Sequence, residues 1–256
     1  MSVSAEETKL AVLIDADNVS YSYVKPMMEE IARYGTPTIK RIYGDWTTPE
    51  AAGWKNVLLE NALTPIQQYR YTSGKNSTDS ALIIDAMDVL YENRVGGFCI
   101  VSSDSDFTRL ATRLREAGMV VIGIGEEKTP APFIAACDRF IFLEIIAPKP
   151  EEEKKKPEPP KTKSKVNKEL RKLVRNSVND VADEDGWAFL GDVGNMILRK
   201  QPSFDSRNYG YSKLTALIKS LGMFEIDKRD TSNPGIKHIF IRDKDLFQNE
   251  NKGSAD

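Results

Sequence analysis

Asp15-Ala16-Asp17-Asn18 directly follows the apolar run Leu10–Ile14, and Ser102-Ser103-Asp104-Ser105-Asp106 directly follows Phe98–Val101. A further carboxylate, Asp79, falls in the middle of a stripe formed at helical spacing by Leu82, Ile83, Ala86, Met87 and Leu90, with Asp85 and Asp88 on the opposite, solvated face. Each feature alone has a plainer reading. Ser and Asp cap helices, and Ser103 to Asp106 has capping-box spacing. A first-turn aspartate is favoured by the helix dipole, although the dipole explains the position of Asp79 along its helix and not its direction. Taken together, Asp15, Asp79, Asp104 and Asp106 make an all-oxygen, strongly negative set without histidine or cysteine. Ionised carboxylates gathered in one place are costly unless a cation holds them. Hard oxygen ligands suit Mg²⁺ or Mn²⁺. One or two such ions, about 4 Å apart when paired, activate water and stabilise the oxyanions of a phosphodiester displacement. Asn18 and Ser102 stand beside the carboxylates and can orient ligands or substrate phosphates.

These residues need a scaffold that brings two strand ends together. Before residue 148, Leu10–Ile14, Thr38–Tyr43, Pro65–Tyr69, Phe98–Val101, Val120–Ile124 and Phe140–Leu143 read as strands. Helical patterns lie between them at Tyr21–Tyr34, Pro49–Ala62, Asp79–Glu92, Asp106–Ala117 and Pro132–Cys137. Such alternation predicts an α/β fold with a mainly parallel sheet covered on both faces. Neighbouring first and fourth strands would set both acidic clusters beside one crevice, where open sheets of this class bind ligands.

Pro148–Lys165 holds seven lysines, four glutamates, five prolines, one threonine, one serine and no apolar residue. It reads as a semi-extended linker between units at 8–147 and 166–246. In the second unit, helical stretches at Asn167–Ala182, Leu190–Arg199 and Tyr211–Leu221 precede short strands at Met223–Ile226 and Lys237–Ile241, the layout of a small winged helix-turn-helix. Charge divides the same way: residues 1–147 carry 14 Lys/Arg and 20 Asp/Glu, whereas residues 148–256 carry 22 and 18. The single histidine, His238, leaves the first 237 residues without triad or histidine general-base chemistry. Two cysteines make neither a disulfide framework nor a zinc site. No secretory signal order or membrane-length apolar run is present, so a cytoplasmic protein is expected.

Residues 8–146 resemble the NYN domains, a PIN-like nuclease family that includes the bacterial LabA-type proteins. The resemblance rests on the strand ending in Asp15-Ala16-Asp17-Asn18, on Gly74-Lys75-Asn76-Ser77-Thr78-Asp79 opening a helix, and on Ser102-Ser103-Asp104-Ser105-Asp106-Phe107. It implies a PIN-like, Rossmann-like fold and metal-dependent RNA cleavage, with Asp15, Asp79 and Asp104 as metal-binding residues and Asp106 as the fourth. Lys75 either contacts a substrate phosphate or sits in a solvated loop. Trp46, Trp54, Tyr69 and Tyr71 offer base-stacking surface near the mouth, although aromatic residues of α/β domains are more often core.

Residues 164–245 resemble the OST-HTH (LOTUS) winged-helix modules through Gly186-Trp187-Ala188-Phe189-Leu190, Pro202-Ser203-Phe204-Asp205, Tyr209-Gly210-Tyr211-Ser212-Lys213-Leu214 and Phe224. That resemblance implies RNA binding or docking of a protein partner. Leu214, Leu217, Ile218 and Leu221 form the buried stripe of the third helix, which leaves Arg207, Lys213 and Lys219 to face a partner or solvent. His238, in the wing strand, reads as structural, and the linker lysines add salt-sensitive attraction to phosphates.

The leading expectation is a metal-dependent ribonuclease, cutting endonucleolytically, whose winged helix captures RNA. The alternative is a non-catalytic RNA-binding regulator that uses the same two domains. A phosphatase of the haloacid-dehalogenase type ranks last. Asp15-Ala16-Asp17 resembles that family's nucleophile and acid pair, but no downstream lysine element accompanies it and the second domain would go unexplained.

Overall fold

A computed structural model of the protein describes residues 7–69, 77–147, 168–231, 235 and 237–245. The chain divides into two compact units, Met1–Glu151 and Glu152–Asp256.

The first unit is built on six strands: β1 (Lys9–Asp15), β2 (Thr36–Gly44), β3 (Thr64–Gln67), β4 (Gly97–Val101), β5 (Val120–Gly125) and β6 (Arg139–Phe142). They pair in the order β3-β2-β1-β4-β5-β6, and every pairing is parallel. Helices α1 (Val24–Ile31), α2 (Trp54–Asn61), α3 (Ser77–Glu92), α4 (Thr108–Glu116), α5 (Ala131–Ala136) and α6 (Leu143–Ile146) cover the two faces. The third strand is shorter than its apolar run because only Thr64–Gln67 pairs with β2. Its Pro65 lacks a ladder donor and is tolerated on this edge strand. Short 3-10 turns at Tyr21–Tyr23, Pro49–Gly53 and Ser105–Phe107 begin the helical stretches that continue as α1, α2 and α4.

Period-2 alternation sends each strand into two cores. Leu10, Val12 and Ile14 of β1 pack with Val24, Met27 and Ile31 of α1, whereas Ala11 and Leu13 pack with Leu82, Ala86 and Val89 of α3 and with Leu110 and Leu114 of α4. Asp15 continues the Ala11–Leu13 parity, so its carboxylate leaves the strand on the side of α3 and α4. The strand order reverses between β1 and β4, which places Asp15 and Ser102–Asp106 side by side at the carboxyl edge of the sheet.

One face assignment is corrected. Asp85 does not point to solvent: it accepts hydrogen bonds from the Arg41 guanidinium and the Tyr43 hydroxyl, both on β2. The buried line of α3 runs through Leu82, Ala86 and Val89, rotated from the expected stripe, so Asp85 flanks the sheet while Ile84 is exposed. The reason is that α3 lies over β1 and β2, where Arg41 and Tyr43 supply donors that an apolar stripe alone does not anticipate. Asp88 is exposed as expected.

The second unit packs α7 (Lys168–Val181), α8 (Leu190–Lys200) and α9 (Leu214–Leu221) against a three-stranded antiparallel sheet ordered β7-β9-β8. Its strands are β7 (Ala188–Phe189), β8 (Phe224–Asp230) and β9 (Lys237–Asp243). Leu170, Val174, Val193, Ile197, Leu217, Ile218, Phe224 and Ile241 are its buried core. This is a winged-helix layout with one strand, β7, too short to be read from its sequence. The third helix starts three residues later than its pattern suggests, because Ser206–Tyr209 form a 3-10 turn that ends at Gly210 with φ +83°. Among the described residues, no helix is long and apolar enough to cross a membrane.

Because Asp85 ties the helix that carries Asp79 to β2, Asp85→Ala should destabilise the first unit by about 1–3 kcal/mol, leaving a partly buried guanidinium and hydroxyl without their acceptor. Urea unfolding followed by circular dichroism measures this; a change below about 0.5 kcal/mol, the usual surface value, would contradict it.

Candidate functional site

Asp15 ends β1 completely buried. Its Oδ2 accepts from Asn18 Nδ2 at 2.6 Å and from Ser102 Oγ at 2.9 Å, while its Oδ1 accepts from the Asp17 backbone N–H at 3.0 Å. Burial still holds its carboxyl above the ordinary range. The hydrogen bonds from Asn18, Ser102 and Asp17 oppose that shift and the Asp17 charge adds to it. Ser102 thus reaches across from β4 to β1, and its Oγ also accepts the Asp104 N–H at 3.1 Å. Asn18 and Ser102 thus both hydrogen-bond the Asp15 carboxylate.

Asp104 is the cap of the turn that leads into α4, its Oδ1 accepting the Asp106 N–H at 2.9 Å. The capping residue is Asp104 and not Ser103, whose Oγ accepts the Glu126 N–H at 2.9 Å instead. The turn sets Asp104 and Asp106 on one side, and the first turn of α3 sets Asp79 opposite them. Carboxylate oxygens of Asp79, Asp104 and Asp106 all lie within 4.8 Å of one another. Asp15 does not belong to that group. It is drawn into the strand end by its own hydrogen bonds, yet stays close enough for its charge to act on Asp79. The expected set of four thus divides into three gathered oxygens and one buried, hydrogen-bonded neighbour.

The Asp79 carboxyl is pushed up to about 6, first by burial and then by the charges of Asp15, Asp104, Asp106 and Asp17. Among the described residues, each of those charged neighbours is an aspartate, which raises the cost of keeping Asp79 ionised. The donor set fits a hard divalent cation: all ligands are oxygen, and near-octahedral coordination at about 2.1 Å places ligand atoms about 3–4 Å apart.

The remaining candidates are less uniform. Lys75 and Tyr71 lie outside the described residues, as does the segment 148–165. Trp46 and Trp54 meet edge to face, with ring centroids 6.0 Å apart, and Tyr69 is 54% exposed. In the second unit Lys213 and Lys219 are exposed on and beside α9. Arg207 is paired with Asp205, with Nη2 2.8 Å from Oδ2 and Nε 3.0 Å from Oδ1, and this pair braces the turn before α9. His238 lies on the exposed side of β9, its ring 4.9 Å from that of Phe189. Sequence reading missed Asp45, whose position directly after the buried end of β2 matches that of the polar clusters after β1 and β4. It also missed Thr78, whose hydroxyl donates to Asp17 Oδ2 at 3.3 Å.

Comparison with known proteins agrees with this architecture. The NYN domain model matches residues 9–144, and the OST-HTH/LOTUS domain model matches residues 161–236. The chain belongs to the NYN domain family and carries an OST-HTH/LOTUS domain after it. Among solved structures it is similar to a protein of unknown function from Vibrio parahaemolyticus, with 19% identity over 54% of this chain and 93% of that chain and a TM-score of 0.46. It is also similar to an uncharacterised protein from Nitrosomonas europaea, with 34% identity over 37% of this chain and 92% of that chain and a TM-score of 0.29. A protein from Chromobacterium violaceum shares 30% identity over 31% of this chain and 85% of that chain, with a TM-score of 0.25. None of the curated proteins matches significantly. An NYN domain joined to an OST-HTH/LOTUS domain points to an RNA-related function.

A raised carboxyl adds stability while protonated. The Asp79 contribution is therefore complete below its unfolded value, near pH 4, and is lost as pH rises through about 6. Without divalent metal, Asp79→Asn should melt several degrees above wild type at pH 7.5 and close to wild type at pH 4. Scanning calorimetry in EDTA reads the difference; a variant that melts lower at pH 7.5 would contradict the repulsion.

Proposed function

We propose that the protein is a metal-dependent ribonuclease, acting endonucleolytically, with Mg²⁺ or Mn²⁺ held by Asp79, Asp104 and Asp106. The observation that carries this reading is the meeting of those three carboxylates beside buried Asp15, at the carboxyl edge of β1 and β4 in an NYN domain. When bound, the ion supplies Lewis acidity and an activated water for attack on a phosphodiester.

The residues divide the remaining work. Asp104 keeps its cap bond through Oδ1 and turns its carboxylate to the centre, while Asp79 approaches from α3. Asp15, fixed by Asn18 and Ser102, sets the negative potential that draws a cation to this point. The domains run over 8–147 and 166–246, and the Lys/Glu/Pro-rich segment 148–165 tethers them, raising the local concentration of captured RNA at the acidic centre. Lys213 and Lys219 contact RNA phosphates, and a protein partner on the OST-HTH domain is the second use of that module. Lys75 stands close enough in sequence to Asp79 to meet a substrate phosphate.

Wild type should cut a labelled, mixed-sequence single-stranded RNA in Mn²⁺ or Mg²⁺ and not in EDTA. Asp104→Asn keeps a capping side chain but loses a charge from the cluster, and should slow cleavage by about 10² or more. RNA left intact by wild type, with a gel shift that Asp104→Asn does not alter, would favour the non-catalytic regulator. Replacing Lys213 and Lys219 together with alanine should weaken binding evenly across sequences and lower the salt dependence by about two units of slope or less. An unchanged slope would remove these lysines from the RNA surface.

A further inference from the structure

Next to the acidic centre, a pocket of about 180 Å³ opens between the carboxyl ends of β1 and β2. Small residues, Ala16, Gly44 and Ala51, line it together with Trp46 and Trp54, and Asp17, Asp45 and Thr48 are its polar residues. The space is well below the roughly 300 Å³ at which pockets for drug-sized ligands begin, and suits one planar ring system. Gly44 keeps it open: a Cβ there would stand 3.0 Å from the Ala16 Cβ and 3.7 Å from the Trp46 ring.

The aromatic side is fixed in advance. Trp46 Nε1 donates to the Ile66 carbonyl at 3.0 Å, the Trp46 N–H donates to Gln67 Oε1 at 3.0 Å, and the ring meets Trp54 edge to face. A rigid indole offers stacking surface at little ordering cost. The Asp45 carboxylate is equally fixed, its Oδ1 accepting from Thr47 Oγ1 at 2.6 Å and from Gln67 Nε2 at 2.9 Å. The Thr48 hydroxyl on the same wall donates to the Asp45 backbone carbonyl at 3.3 Å, and the two carboxylates accept hydrogen bonds and repel phosphate. The ligand it complements is flat and presents N–H donors along one edge.

We infer that this pocket seats a base of the RNA next to the scissile phosphate and selects guanine. Among the RNA bases, only guanine carries adjacent N1–H and N2–H₂ donors on its Watson–Crick edge. Adenine, cytosine and uracil each turn ring-nitrogen or carbonyl acceptors toward the same carboxylates. The location fits: Asp17 borders the pocket, and its own N–H bonds to Asp15. A base seated there keeps its phosphate at the acidic centre.

The inference rests on the ribonuclease reading for the position of the scissile phosphate, but pocket occupancy does not require cleavage. The test is quenching of Trp46 and Trp54 fluorescence by four RNA pentamers that differ only in the central base of a uridine run. Full-length Trp187→Phe, Asp104→Asn protein in Mg²⁺ removes the third tryptophan and suppresses cutting. The guanine pentamer should bind about tenfold more tightly than the all-uridine one. Asp45→Asn retains the Oδ1 acceptor but replaces the other oxygen with a donor, and should abolish that preference. Equal affinity for all four pentamers, or a guanine preference that survives Asp45→Asn in a protein folded by circular dichroism, overturns the inference. Parallel cleavage by protein with intact Asp104 separates the two claims. Guanine preference without any cutting would retain the pocket and remove the ribonuclease, whereas cutting without base preference would do the reverse.

Discussion

Like charge gathered at one edge of the sheet governs the N-terminal unit. Asp15, Asp17, Asp79, Asp104 and Asp106 act on one another there, and burial strengthens the effect by weakening solvent screening. Hydrogen bonds from Asn18, Ser102 and the Asp17 N–H hold Asp15 in place without cancelling its desolvation. A proton or a cation can relieve the remaining repulsion on Asp79. The all-oxygen donor set, without histidine or cysteine, has the chemistry that suits a hard divalent cation.

The apolar architecture exists on both sides of that edge and bears its cost. β1 and β4 are buried on both faces, so their ends cannot drift apart to reduce the repulsion. The helix that presents Asp79 is fixed twice, by Leu82, Ala86 and Val89 against the sheet and by Asp85 against Arg41 and Tyr43. Residues far from any ligand thereby determine where the carboxylates meet. Such pre-organisation is what chemistry on a phosphodiester demands, because the catalytic advantage lies in charge positioned before substrate arrives.

Much of this was legible in the residues because alternation and charge leave clear marks. The strand order follows from continuous apolar runs separated by helical patterns, and the pairing of β1 with β4 brings the two acidic clusters to one crevice as their positions after those runs implied. Direction on a helix was less legible. Asp85 has the spacing of a solvated residue, and only the cross-chain donors Arg41 and Tyr43 turn it inward. The same limit applies to Arg207, which reads as an exposed cation until Asp205 is seen to bind it. Asp15 has the composition of a ligand, yet its exclusion from the three-oxygen group depends on bonds to residues 3 and 87 positions away. The Trp46 pocket depends on contacts 20 and 21 residues apart, beyond the reach of any local pattern.

In the proposed enzyme, Asp79, Asp104 and Asp106 together bind a divalent ion. A crystal grown with Mn²⁺ and measured at the manganese absorption edge tests it most directly. An anomalous peak is expected in contact with carboxylate oxygens of all three residues, at about 2.2 Å. A fully ordered edge with no peak at these residues, or manganese bound elsewhere while the three carboxylates stand apart, would contradict it.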